Sequence, residues 1–127
     1  YSRNILPEKI TINKAVKQWG EIASLVYGFS INDIEIIKRT MNDFIIEPIR
    51  KKLINGFDDI KKSALDLGAL GCSISGSGPT IFALCESYEI AKKISGYSKD
   101  YYSSIKLECD TYISNINKVG PIVVSEK

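Results

Sequence analysis

Between residues 70 and 85 the chain reads Leu70-Gly71-Cys72-Ser73-Ile74-Ser75, then Gly76-Ser77-Gly78-Pro79, then Thr80-Ile81-Phe82-Ala83-Leu84-Cys85. Two short apolar or alternating runs, split by a quartet of glycine, serine and proline, predict two β-strands joined by a tight loop. Such a pair cannot bury itself, because a lone hairpin leaves one apolar face in water. The rest of the chain must supply a cover, and its period says that the cover is helical.

Over residues 11–29, Ile12, Ala15, Val16, Trp19, Ile22, Ala23, Leu25, Val26 and Phe29 recur at the three-and-four spacing of one helix stripe. Ser30 then stands where an N-cap would, ahead of Asp33 and Glu35, so a second helix is expected from there to about Thr40. A third helical stretch over 42–53 contains Pro48, which removes a backbone donor and predicts a kink or a fresh start. Asn55-Gly56 marks a turn, and residues 57–67 resume helical spacing until Gly68 closes them. After the strand pair, a helix is expected over 89–97, a strand over 105–113 and a last apolar run over 121–124. The sum is an α+β domain, a small antiparallel sheet backed by helices. With 127 residues, one domain spanning 1–127 is the expectation.

The composition excludes much chemistry. Histidine is absent, which removes Ser-His-Asp and Cys-His machinery and the commonest zinc and haem ligand sets. Cys72, Cys85 and Cys109 are isolated and odd in number, so they read as buried cytosolic thiols, with neither a disulfide framework nor a zinc site. Seventeen basic residues against 15 acidic ones, a net charge of +2, create no field that would gather nucleic acid. The densest basic run, Arg50-Lys51-Lys52, also fits the solvated end of a helix. No apolar run approaches the ~20 residues that cross a bilayer. The start, Tyr1-Ser2-Arg3, has neither an initiator Met nor an apolar leader, and the expectation is that a segment precedes it.

What remains is chemistry by positioning. Gly76 and Gly78 let the loop adopt backbone angles closed to other residues and let a ligand approach without a Cβ in the way. Successive amides in such a turn form a nest for phosphate or carboxylate, with Ser75, Ser77 and Thr80 adding hydroxyls. The same residues would serve equally in a plain hairpin, and their types alone leave both readings open.

Ser75-Gly76-Ser77-Gly78-Pro79-Thr80, preceded by Gly68-Ala69-Leu70-Gly71, resembles the third conserved motif of the GHMP kinases, in the form that homoserine kinases use. Asp43-Phe44-Ile45-Ile46-Glu47-Pro48-Ile49-Arg50 is similar to that family's D-x-x-x-E-P-x-R segment, and Arg3-Asn4-Ile5-Leu6-Pro7 to its R-x-x-L-P segment. Asn55 departs from the pattern by standing where the family often has proline, one turn residue for another.

The resemblance implies a ferredoxin-like C-terminal domain of a kinase acting on L-homoserine and ATP, a committed step toward threonine. It assigns ATP and Mg2+ mainly to an N-terminal domain outside this chain, so the fragment alone is expected to fold without kinase activity. Arg3 and Arg50 become clamps for the substrate carboxylate, a task suited to the planar guanidinium fork. Gly76 joins them on the substrate side, while Ser75, Gly76, Ser77, Gly78 and Thr80 face the phosphates. No catalytic residue is assigned. The spacing of Asp43, Glu47 and Arg50 also allows a local Glu47–Arg50 ion pair as the blander role of that arginine. The implied enzyme is cytoplasmic, and a homodimer of the full-length protein is left open. Two rivals stand beside it: a stand-alone amino-acid-binding regulatory module, and a GHMP kinase for another small-molecule alcohol.

Overall fold

The computed structural model describes residues 4–125. Its elements run α1 (Ile12–Ile31), α2 (Ile34–Thr40), α3 (Glu47–Arg50), a 3-10 turn (Lys51–Leu53), α4 (Phe57–Asp66), β1 (Gly71–Ile74), β2 (Ile81–Leu84) and α5 (Tyr88–Ser104). The class is α+β and helix-rich.

The expected strand pair forms. β1 and β2 are antiparallel, with Gly71 opposite Leu84, Cys72 opposite Ala83, Ser73 opposite Phe82 and Ile74 opposite Ile81. Because side chains alternate across a strand, Cys72 faces the core while Ser73 faces the other side. The core lies between the sheet, α4 and α5, where Ala64, Ala69, Cys72 and Ile94 are buried and Leu67, Ile81, Ala83, Cys85 and Ile90 close around them. Small residues at its centre let α4 sit close on the strands. Phe57, only 2% exposed at the start of α4, is the largest side chain the fold encloses, and burial of that ring stabilises by about 1.5–3 kcal/mol.

Three boundaries differ from the sequence expectations. Ser30 does not start a second helix; α1 runs through it, and its hydroxyl donates back to the Tyr27 carbonyl at 2.7 Å. Asn32 ends α1 in the left-handed region at φ 55°, which asparagine tolerates, and Asp33 caps α2 by accepting from the Ile36 amide at 2.9 Å. Second, the stretch over 42–53 is helical only from Glu47, a fresh start with Pro48 in the first turn, where its missing donor costs nothing. Third, α5 extends seven residues past the expected end at Tyr97, from the Ser87 cap to Ser104, carrying Gly96 inside it.

The expected strand over 105–113 pairs with neither β1 nor β2, so the sheet of the described residues has two strands. Its alternation survives as packing: Cys109, Thr111 and Ile113 are half-buried while Asp110 and Tyr112 are exposed. The Ser95 hydroxyl of α5 donates to Thr111 Oγ1 at 2.8 Å, which lays this extended segment on the helix with no ladder. The apolar run over 121–124 likewise enters no regular element, and Val123 and Val124 are exposed. Among the described residues, no helix is long and apolar enough to cross a membrane.

Candidate functional site

A helix of four residues cannot hold itself, since its few hydrogen bonds do not offset the cost of nucleation. Neighbouring side chains therefore set the position of α3. Asp43 gathers the amides that lead into it: Oδ1 accepts from Ile45 at 2.9 Å and Ile46 at 2.8 Å, and Oδ2 from Glu47 at 3.1 Å. Gln18 of α1 secures the same approach by donating to the Asn42 carbonyl at 3.1 Å and accepting from the Phe44 amide at 2.8 Å. Lys17 lies 3.6 Å from the centre of the Phe44 ring, a cation over an aromatic face.

Glu47 opens α3 and is 8% exposed. Its carboxylate is fully engaged elsewhere: Lys61 Nζ of α4 donates to Oε1 at 2.5 Å, and the Ser73 hydroxyl of β1 donates to Oε2 at 2.6 Å. The local Glu47–Arg50 ion pair allowed by spacing does not form; Lys61, a half-buried partner on another element, takes the charge. Lys61 and Ser73 had escaped the sequence reading. They stand 14 and 26 residues from Glu47, a separation that no local periodicity encodes.

Freed of Glu47, Arg50 points to the glycine loop, and its Nη1 donates to the Gly76 carbonyl at 2.9 Å. Arg50 Nε is buried and has no partner among the described residues. The two motifs singled out in sequence, 26 residues apart, thus meet in space. An arginine fixed at one nitrogen keeps further donors of its planar fork for another group.

The loop itself is a tight connection. The Ser75 amide donates to the Thr80 carbonyl at 2.8 Å and the Gly78 amide to the Ser75 carbonyl at 3.1 Å. Gly76 at φ 60° and Gly78 at φ 79° both occupy the left-handed region. Their surroundings differ. A Cβ on Gly76 would meet nothing within 4 Å, whereas one on Gly78 would stand 3.1 Å from Ile54 Cδ1 and 3.3 Å from Ile74 Cγ2. Gly78 is therefore glycine for the packing of the hairpin as well as for its turn, while Gly76 keeps open space in front of the backbone. Ser75, Gly76, Ser77 and Thr80 are exposed, and the amides of Gly76 and Ser77 make no backbone hydrogen bond among the described residues. Free amides beside a guanidinium are suited to an anionic oxygen. Arg3 lies outside the described residues.

Of the three thiols expected to be buried only Cys72 is; Cys85 and Cys109 are half-buried and hydrogen-bond to the carbonyls of Ala83 and Asp110, away from this arrangement. Burial pushes the Cys72 thiol up to about 11, against the pull of the Lys61 ammonium, and Cys85 is also raised by burial. Such thiols are protonated near neutrality and are poor nucleophiles. Among the described residues, no group of three or more His, Cys, Asp or Glu side chains could hold a metal ion. The donors present thus fit a carboxylate or phosphate, and do not fit Mg2+ by themselves.

Comparison with known proteins gives this geometry a context. Residues 14–103 match the family described as GHMP kinases C terminal. The chain is 42% identical over 126 residues to a homoserine kinase of Chlorobium phaeobacteroides strain BS1, and 33% identical over 117 residues to one of Pyrococcus abyssi. It covers 39% of each of those relatives, which in turn account for 98% and 92% of this chain. The crystal structure of homoserine kinase from Cytophaga hutchinsonii ATCC 33406 superposes with a TM-score of 0.92 at 53% identity, over 97% of this chain and 39% of that one. With a family match across most of its length, the chain belongs to the GHMP kinases as a C-terminal domain of that family.

Proposed function

We propose that this chain is the acceptor-binding domain of a homoserine kinase, which transfers the γ-phosphoryl group of ATP to the side-chain hydroxyl of L-homoserine and yields O-phospho-L-homoserine. The contact that carries the reading is the hydrogen bond from Arg50 to Gly76, which sets a guanidinium beside exposed loop amides. Homoserine has a carboxylate to be gripped and a hydroxyl to be aimed. Arg50 grips the carboxylate, with Arg3 as its second clamp, and Gly76 lines the same acceptor site. Ser75, Ser77, Gly78 and Thr80 face the phosphates and exclude water from them.

Phosphoryl transfer demands alignment and relief of spread charge more than covalent participation by the protein. The acceptor oxygen bonds to the γ-phosphorus, the bond to the bridging oxygen breaks, ADP leaves and the hydroxyl proton is released. ATP and Mg2+ supply the transferable group and its charge neutralisation, and the reading assigns both to the part of the enzyme outside this chain. It places the enzyme in the cytoplasm, on the route to threonine.

The test is an assay of the full-length parent with ATP and homoserine, in which phosphohomoserine is identified as product. Arg50→Leu removes a charge-assisted contact of about 1.5–3 kcal/mol. The KM for homoserine should then rise roughly 10- to 100-fold, with the KM for ATP little changed. Arg50→Lys should recover part of the loss, since an ammonium keeps the charge without the planar fork. A raised ATP KM beside an unchanged homoserine KM would move Arg50 to the nucleotide side and refute the assignment.

A further inference from the structure

Glu47 touches three elements at once. It opens α3, accepts from Lys61 of α4 at 2.5 Å and accepts from Ser73 of β1 at 2.6 Å. Arg50 leaves α3 one turn later, and Gly76 lies three residues beyond Ser73, so both ends of the Arg50–Gly76 contact start from groups that Glu47 holds.

An ion pair so enclosed is a poor device for stability alone. Glu47 and Lys61 side chains are 10% and 22% exposed, and desolvating both charges offsets much of their attraction. Replacing such a pair by apolar residues of similar volume is often neutral or stabilising. What an apolar pair lacks is direction: two oxygens, each with its own donor, fix the rotation of a short helix that its own hydrogen bonds cannot fix.

We infer that Glu47 is a positioning residue of the acceptor site: with Lys61 and Ser73 it sets the start of α3 against β1, and so holds Arg50 at the glycine loop. The inference rests on the reading of Arg50 as the carboxylate clamp. It assigns Glu47 no contact with substrate.

The experiment uses the full-length parent and a cycle of Glu47→Gln, Arg50→Leu and the double variant. Glutamine keeps the volume and an acceptor for Ser73 but loses the charge that holds Lys61. The expected result is a rise of roughly 10-fold in the homoserine KM, the size of effect that small misplacements cause, with the ATP KM within about twofold. In the double variant the two effects should fall short of multiplying, because Glu47 acts through Arg50. Lys61→Met should move the same constant in the same direction. Where Arg50→Leu raises the homoserine KM, full multiplicativity, or a lowered Tm with that constant unchanged in Glu47→Gln well below it, overturns the inference and reduces Glu47 to a structural ion pair.

A crystal structure of the Glu47→Gln parent separates the two readings. There Arg50 Nη1 should stand beyond 3.5 Å from the Gly76 carbonyl. If the contact persists unchanged, Glu47 does not position it, whatever Arg50 binds. If the contact is lost while Arg50→Leu leaves the homoserine KM at its wild-type value, Glu47 still positions the arginine and it is the acceptor assignment that has failed.

Discussion

The half of the domain built from α3, α4 and the strand pair differs sharply from α1. In the first, apolar groups are enclosed and charged groups meet: Phe57, Ala64 and Cys72 are almost sealed from water, Glu47 has a partner for each oxygen and Arg50 reaches the loop. In α1, a helix of 20 residues, only Ala15 and Gly28 are buried. Ile12, Val16, Trp19, Ile22 and Val26 stand open at 51–66% exposure along one face. Both halves carry clean apolar patterns in sequence, yet only one has its pattern satisfied within the chain. An apolar stripe states that a surface is available for packing; it does not name what packs there.

Several substitutions would sharpen or break this contrast. The largest effect is expected at Phe57. Phe57→Ala leaves a void among well-fixed neighbours and should cost about 3–5 kcal/mol in the urea denaturation of this chain. A loss below 1 kcal/mol would mean that the packed half is no tighter than α1.

The loop comes next, since its two glycines have different surroundings. Gly78→Ala meets Ile54 and Ile74 in addition to its left-handed backbone, and should cost about 2–4 kcal/mol. Gly76→Ala bears only the backbone strain, about 1–2 kcal/mol, and its methyl meets nothing within 4 Å; under the proposed function it should still lower kcat in the full-length parent, because that reading puts ligand in this space. Equal destabilisation at both positions, with activity retained in Gly76→Ala, would turn the loop into a hairpin and nothing more.

The smallest effect is expected on α1. Trp19→Ser exchanges residues of similar helix propensity at a site 62% exposed, and the stability of this chain should move by no more than about 0.5 kcal/mol. A loss above 1 kcal/mol, dependent on protein concentration, would show that copies of the chain cover this face in solution and that the contrast belongs to the single molecule only.

Local chemistry made much of this protein legible in advance. The strand pair follows from two short apolar runs around Gly76-Ser77-Gly78-Pro79, and α4 from its spacing between Gly56 and Gly68. Boundaries were less visible where two local signals compete. Ser30 offers a cap but sits inside α1, and Asp33, three residues on, does the capping, because the left-handed Asn32 ends the helix between them. Residues 105–113 carry an alternating pattern that any half-buried extended segment shows, and alternation cannot say whether a partner strand lies alongside.

The candidate site divides in the same way. Sequence by itself determined that Arg50 and the glycine loop are present, each in a segment of recognisable type, and that no histidine stands beside them in this chain. Only the tertiary structure decided who holds whom. Glu47 and Arg50 are neighbours along the chain and could have paired with each other, but Glu47 turned to Lys61 and Ser73, and Arg50 to Gly76. The reason is burial: a carboxylate 8% exposed must take its strongest available donors, and those come from α4 and β1, which the chain brings alongside only when the core closes.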